Sequence, residues 1–421
     1  MSNTETYLAY LAGDYTGELP QPRPIRNEMY LAALCGLNVG ELPQPRQIWT
    51  EMYLYELAQN GGIGGGGDNF KITDGSYLFY KGARSDNIPE VLKLCGKLDS
   101  ASYMFEDCTD VKEVDITGLD ISNSRQVKGL FCGCNQLSTV KGLGALNTSS
   151  AESMTNFFYG CSALKSVDGV ENWNLGNVTS LANMFAGCSL LESVGNLSSW
   201  DVSKVTSMGG MFYNSGISDF NFIKKWNPKS LTSVANMFSS TPVTDISALK
   251  NLLSVADANK LTDISNIFKN CAHLASADFS DIDMSKIQSA WAMFGGCINL
   301  LEITGVSFFG SNAIRKRLNF PSSSNSSSVD KRPKLHRLTF RTDLAEGVIS
   351  FNCDIDIQYD NFERSGAVEM FETLPTITTS RKITLTGNPC ITGKTRDGAT
   401  CEVLTAEDKA IATSKGWTIV G

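Results

Sequence analysis

The residues that could carry chemistry are few, and their spacing gives them no partners. Only two histidines occur in 421 residues, His273 and His336, and they fall in different segments. A nucleophile needs a base, and the base needs an orienting group. Neither histidine has a third partner near it, so no Ser/His/Asp or Cys/His arrangement can be assembled. Paired carboxylates occur as Asp281-x-Asp283 and Asp354-x-Asp356. A spacing of two puts both groups on one side of a strand, but glycoside hydrolysis also needs a protected cleft around the pair. A polysaccharide depolymerase is the form an enzyme would take here; the sequence favours a protein that is not an enzyme. Gly393-Lys-Thr395 follows Gly387 with five intervening residues where a phosphate-binding loop has four, and no helix start follows. No nucleotide, cofactor or metal is expected.

Twelve cysteines suggest metal or redox chemistry until their positions are compared. Six of them, Cys108, Cys134, Cys161, Cys188, Cys271 and Cys297, occupy one recurring slot, which Ser215 and Thr241 fill elsewhere. The slot asks for a small side chain, and free Cys serves as a buried filler. Metal sites need paired ligands at short spacing; Cys132-Gly-Cys134 is the one close pair, and no second pair faces it.

The element that positions these cysteines is a repeat. The second aromatic of a Met-Phe-type pair falls at Phe105, Phe131, Phe158, Phe185, Phe212, Phe238, Phe268 and Phe294, in steps of 26 or 27 with one of 30. A period in that range describes a unit that buries its apolar face only against copies of itself. One unit reads Leu164-x-x-Val167…Trp173-x-Leu175-x-x-Val178-x-x-Leu181-x-x-Met184-Phe185-x-x-Cys188. Its Val178, Leu181, Phe185 and Cys188 align on one face of a helix or tight helical turn. After each slot comes a short apolar run (Val111/Val114, Leu137/Val140, Leu164/Val167, Leu191/Val194, Val243/Ile246, Leu300/Ile303) that predicts one strand per coil in a parallel ladder. The fold class expected is an α/β solenoid: about eight leucine-rich-repeat-like units, a short all-α anchor before them and an α/β cap after them.

The flanks divide the chain further. Residues 1–60 carry Gly-Glu-Leu-Pro-Gln-Pro-Arg identically at 17–23 and 40–46. Around it, Tyr7/Leu11, Tyr30/Leu34 and Tyr53/Leu57 predict three short amphipathic helices. Helices so short gain stability from partners, so these six residues are the candidate assembly contacts, in a homo-oligomer, a trimer favoured, or on a larger assembly. Residues 61–69 read as a glycine-rich linker, 70–310 as the array, and 311–421 as diverged repeats and a cap. Within the last, Leu335–Phe340, Ile349–Ile357 and Lys382–Thr386 read as strands and Met370-Phe371 as a ninth repeat. Thr405-Ala-Glu-Asp408 opens a capped helix that Gly416 ends.

The net charge of −8 and pI near 5.0 argue against nucleic-acid binding. No run of 18 apolar residues predicts membrane insertion, and the first residues lack the features of a secretory signal.

The array resembles the bacterial-surface-antigen type of leucine-rich repeat, whose units carry Trp-Asp-Val-Ser-x-Val-Thr-x-Met-x-x-Met-Phe. Here that pattern is Trp200-Asp-Val-Ser-Lys-Val-Thr-Ser-Met208-Gly-Gly-Met-Phe212, and the match spans roughly residues 95–305. The N-terminal repeats look like those opening tail-fibre, baseplate and head-fibre proteins of phages of gut Gram-positive bacteria. The segment from Thr386-Gly-Asn-Pro-Cys390 to Trp417 resembles the ending of prophage-encoded repeat proteins. Together these resemblances imply a virion structural protein, tail-fibre or baseplate-associated, that binds a host cell-surface glycan or protein. It would be made in the host cytoplasm and located in the virion, where residues 1–60 would meet other virion proteins. A head fibre, a capsid decoration or a cell-surface adhesin are the alternatives. Ser215, Thr241 and the 30-residue step to Phe268 break the pattern and suggest a kink.

Three surfaces are candidates for contact. The residues flanking each strand's apolar centre, Glu113/Asp115, Ser166/Asp168, Asp245/Ser247, Ser276/Asp278 and Glu302/Thr304, predict one exposed acidic and hydroxyl-bearing row. Trp173, Trp200 and Trp226 recur with the repeat, as core or as a sugar-stacking ladder. Arg315, Lys316, Arg317, Lys331, Arg332, Lys334, Arg337 and Arg341 form a basic excess suited to an anionic wall.

Overall fold

The computed structural model describes residues 72–80, 88–255, 260–282, 287–290, 292–306, 318–319, 335–341, 355–356, 361–377, 380–395 and 398–421. The expected anchor helices with Tyr7, Leu11, Tyr30, Leu34, Tyr53 and Leu57, the glycine linker and the serine-rich loop at 321–328 lie outside the described residues. The chain gathers into two compact units, Met1–Trp173 and Asn174–Gly421, each built of stacked coils.

The Met-Phe segment is a run of tight turns and not a helix, which removes the helix alternative for Val178, Leu181, Phe185 and Cys188. Those four side chains are fully buried, as expected, but the backbone beneath them runs as consecutive tight turns. In the first unit the N–H groups of Tyr103, Phe105 and Asp107 donate to the carbonyls of Lys128, Leu130 and Cys132 in the next coil at 2.7, 2.9 and 2.7 Å. The intervening amides close turns inside the coil, Met104 to Ala101 and Cys108 to Phe105. A helix would spend every amide within its own segment; here alternate amides face sideways and stitch coil to coil. The second unit repeats this from Asn183, Phe185 and Gly187 to Gly209, Met211 and Tyr213.

That alternation demands left-handed backbone at two places per coil. Asn183, Asn236, Asn266 and Asn270 have φ of 54, 60, 54 and 60°, and Gly133, Gly187 and Gly296 lie at 77, 77 and 79°. Asn and Gly are the residues that tolerate this region. A side chain at Gly296 would also strike the Asn270 carboxamide oxygen. Asn or Gly flanking the Met-Phe pair is therefore the sequence mark of the turn.

Inside each unit the phenylalanines stack as a spine. Ring centroids along Phe79, Phe105, Phe131 and Phe158 are 4.8, 5.1 and 5.5 Å apart. Along Phe185, Phe212, Phe238, Phe268 and Phe294 they are 5.9, 6.2, 5.7 and 5.9 Å apart, with nearly parallel planes. The slot cysteines are free thiols that do more than fill space. Cys108, Cys134, Cys161, Cys271 and Cys297 each donate S–H to the carbonyl of Phe79, Phe105, Phe131, Phe238 and Phe268 in the preceding coil, at 2.9–3.0 Å. Burial pushes the Cys271 and Cys297 thiols up from their ordinary pKa, so they stay protonated donors. Thr241 bonds Phe238 instead, at 2.6 Å, while the buried Ser215 hydroxyl has no partner among the described residues.

The strands of the first unit are β1 Ile72–Asp74, β2 Cys95–Ser100, β3 Glu113–Asp115 and β4 Thr139–Lys141, with helix α1 at Ile88–Leu94. They pair in parallel, β1 with β2 and β3 with β4. The second unit has α2 Ser247–Val255, β5 Ser276–Asp278, β6 Glu302–Val306, β7 Leu318–Asn319, β8 Arg337–Phe340 and β9 Ile355–Asp356. Then come α3 Arg364–Thr373, β10 Arg381–Thr384, α4 Pro389–Thr392, α5 Ala406–Ser414 and β11 Trp417–Val420. Here β5-β6-β8 and β7-β9-β10-β11 are parallel sheets. This is a leucine-rich-repeat-like solenoid with fewer than one strand per coil: the segments at Val167, Val194 and Ile246 form none.

The 30-residue step does not break the ladder. Phe238 still donates to Ile267 at 3.1 Å, and the step contains α2, which buries Leu249 and Leu252. Met370 and Phe371 belong to a true α-helix, α3, and not to a ninth set of turns. The segment preceding Met370, Ala-Val-Glu, favours helix and lacks the Asn or Gly most units carry. The capping box at Thr405 and Asp408 forms as expected.

A candidate recognition surface

Each strand buries its central apolar residue and turns its flanks outward. In the first unit Val114 is buried between exposed Glu113 and Asp115. The register sets Glu113 beside Thr139 and Asp115 beside Lys141, with Lys141 Nζ 3.9 Å from Glu113 Oε2. The Thr117 hydroxyl and N–H, and then Lys141, hold the Asp115 carboxyl below its usual pKa. Ser166 and Asp168 flank buried Val167 in the following coil.

In the second unit Asp245 and Ser247 flank buried Ile246, Asp245 accepting the Ser247 N–H at 2.7 Å. On β5 and β6, Asp278 accepts from Ser280 Oγ at 2.6 Å and from Thr304 Oγ1 at 3.2 Å, contacts that lower its pKa. Ser276 lies beside Glu302, and Glu302 beside Arg337 of β8. The Arg337 guanidinium reaches Glu369 of α3 at 2.7 Å and Glu302 at 3.5 Å.

The ten predicted residues are exposed or half-buried as expected, but they do not form one acidic row. Within each unit a neighbouring strand places a cation at matched register, Lys141 of β4 beside Asp115 and Arg337 of β8 beside Glu302, so each ladder carries both signs. A strand-by-strand reading of acidic flanks passed over both cations. Arg337 also leaves the proposed basic excess, because Glu369 and Glu302 neutralise it; Arg315, Lys316, Arg317, Lys331, Arg332 and Lys334 lie outside the described residues.

Where β8 meets the start of α3, a cleft of about 290 Å³ is lined by His336, Arg337, Asn361, Glu363, Ser365, Gly366 and Glu369. Gly366 lets the helix sit against the His336 carbonyl, which a Cβ would strike at 2.3 Å. No sequence signal announced this cleft, since its far wall belongs to the segment read as a ninth repeat. His336 Nε2 lies 3.6 Å from Glu302, and His273 is exposed. Asp281 is taken by Lys250 at 2.5 Å; Asp283 and Asp354 lie outside the described residues.

Trp173, Trp200 and Trp226 are core, at 4, 3 and 2% exposure. Trp173 Nε1 donates to Leu143 O and Trp226 Nε1 to Leu197 O, both at 2.8 Å. A stacking ladder for sugars is excluded, because no ring face reaches solvent. Among the described residues no cluster of three or more His, Cys, Asp or Glu could hold a metal ion. Nor is any described helix long and apolar enough to cross a membrane.

Stacked coils with a phenylalanine spine and short parallel strands define a leucine-rich-repeat-like repeat protein. Its repeat region matches the family described as "Mycoplasma protein of unknown function, DUF285", in three overlapping stretches at residues 99–215, 134–248 and 215–307. A similar solved structure is a leucine-rich repeat protein from Bacteroides ovatus, 17% identical, covering 67% of this chain and 81% of that one, with a TM-score of 0.25; the fold assignment rests on the coils themselves. No curated protein matches the chain.

Proposed function

We propose that this chain is a noncovalent recognition protein: a phage virion component, tail-fibre or baseplate-associated, that binds a polar glycan or protein on the host cell surface. The observation that carries the binding role is the mixed-charge ladder β5-β6-β8, with β3-β4 a second such ladder in the other unit. Its side chains are held at strand spacing over a rigid spine, so a partner meets them already ordered and little conformational entropy is lost on binding. The virion assignment is supported by the resemblance of the two flanks to phage proteins. Binding in place of catalysis is supported by Asp281, the carboxylate of the two Asp-x-Asp pairs whose side chain is described, which is taken by the Lys250 ion pair.

Two measurements test the reading. Mass spectrometry of purified particles should find the chain in the virion. Sedimentation with host cells should capture the full-length protein, and Asp115→Lys and Ser276→Lys should each weaken capture about tenfold or more, a loss of roughly 1.4 kcal/mol. Capture undiminished in both variants would remove the strand flanks as the binding face. Absence from the particle would remove the virion assignment and leave the adhesin alternative.

A further inference from the structure

Ten described cysteines are free thiols, and the slot cysteines are committed to the spine. Two others meet in the C-terminal cap. Cys390 sits in the first turn of α4 and is fully buried, whereas Cys401 is half-buried on the returning arm of a hairpin. The hairpin is closed by the antiparallel bridge of Lys394 with Thr400, and Cys401 N–H donates to Gly393 O at 3.1 Å. Leu404 N–H then donates to Cys390 O at 2.9 Å. Cys401 Sγ lies 3.5 Å from the Pro389 carbonyl oxygen, whose carbon is bonded to the Cys390 nitrogen. The chain thus returns Cys401 onto the residue next to Cys390, with backbone bonds fixing both arms.

We infer that Cys390 and Cys401 are an oxidative modification site, a dithiol that closes to a disulfide and locks the cap. The reaction is thiol–disulfide exchange with a low-molecular-weight disulfide such as glutathione disulfide. The Cys401 thiolate attacks one glutathione sulfur, the glutathione S–S bond breaks, and glutathione thiolate leaves and takes up a proton. The Cys390 thiolate then attacks Cys401 Sγ, the mixed disulfide breaks, and the second glutathione leaves as thiol. Protein dithiol and one disulfide thus become protein disulfide and two thiols. The order follows from access: Cys401 is the reachable sulfur, while burial, with Cys401 adding to it, pushes the Cys390 thiol up to about 12. The bond would tie α4 to the segment that leads through Glu402 and Leu404 into α5, so the cap's stability would follow the redox state of its surroundings.

The sequence supplies the assay. Trypsin cuts at Lys382, Lys394, Arg396 and Lys409, leaving Cys390 and Cys401 on separate peptides, 383–394 and 397–409. Full-length protein is treated with glutathione disulfide, unfolded, alkylated and digested. The two peptides are expected as one species that a reductant separates, and the oxidised protein is expected to melt several degrees above the reduced one. In Cys401→Ser, a substitution at a half-buried position, Cys390 should be recovered alkylated and without glutathione, and the melting shift should vanish. The proposal is overturned if both wild-type peptides are recovered singly. It is equally overturned if either cysteine is joined to another residue, if oxidation leaves the melting temperature unchanged, or if Cys390 in Cys401→Ser takes up glutathione.

Discussion

The slot residue and the phenylalanine before it act as a pair, because the thiol of one coil bonds the phenylalanine carbonyl of its neighbour. Phe185 is fully buried and stacks on Phe212 at 5.9 Å. Phe185→Ala is expected to cost about 3–5 kcal/mol, since the Phe212 coil it stacks on cannot collapse into the space; thermal or denaturant unfolding of the variant checks it. Ser215 gives the opposite expectation. Its hydroxyl is buried with no partner among the described residues, and one unsatisfied buried group costs about 1–3 kcal/mol. Ser215→Cys should restore the slot's S–H donor and raise stability by about 1 kcal/mol, read as a higher denaturant midpoint at unchanged slope. The small size of the slot residue was legible in the sequence, because six cysteines, one serine and one threonine shared a position. Its hydrogen bond was not, since a spacing rule carries no information about which carbonyl lies across the coil.

Among the elements, the turns at Met-Phe and the helices of the C-terminal segment show where pattern reasoning divides. Val178, Leu181, Phe185 and Cys188 share a face in a helix and also in these turns, so side-chain spacing alone cannot separate them. Asn183 before Met184 and Gly187 before Cys188 could have, because two left-handed residues within five exclude a helix. The capped helix α5 was readable because a capping box is local. Its tether was not: Arg364, 44 residues earlier, donates to Asp408 from Nε at 2.7 Å and from Nη2 at 3.0 Å, and Nη1 reaches Glu402 at 2.9 Å. Arg364, followed by the Thr405 N–H, lowers the Asp408 pKa from 3.8 to about 2. A depressed folded-state pKa gives stability that is present above the unfolded value near 3.8 and lost as pH falls through about 2. The cap should therefore weaken between roughly pH 4 and pH 2. Arg364→Ala should reduce stability at neutral pH and flatten that acid slope, as circular dichroism melts across the range would report.

For the molecule as a whole, the expected division into anchor, linker, array and cap makes a separable prediction. Removal of residues 1–67 should leave the melting of the remainder unchanged, because a solenoid draws its stability from nearest-neighbour stacking. It should reduce the sedimentation coefficient, because Tyr7, Leu11, Tyr30, Leu34, Tyr53 and Leu57 are the candidate assembly contacts. A truncated protein that keeps the full oligomeric state would move assembly into the array. The candidate surface was half legible: the outward flanks followed from strand alternation. Lys141 and Arg337 entered only through the register of neighbouring coils, and the cleft beside α3 only through packing across sequence separations of some thirty residues.

The sideways amides have a mechanical consequence. Each coil is held by bonds from alternate residues to its immediate neighbours, and those bonds lie across the direction in which the chain is paid out. A chain drawn from one end therefore loads one coil's bonds at a time, as a zipper does, and does not load the whole ladder in shear. Every coil that peels away frees about 26 residues, or roughly 90 Å of contour at ~3.4 Å per residue. Held at both ends, such an array would yield in regular steps and re-form coil by coil when slack returned.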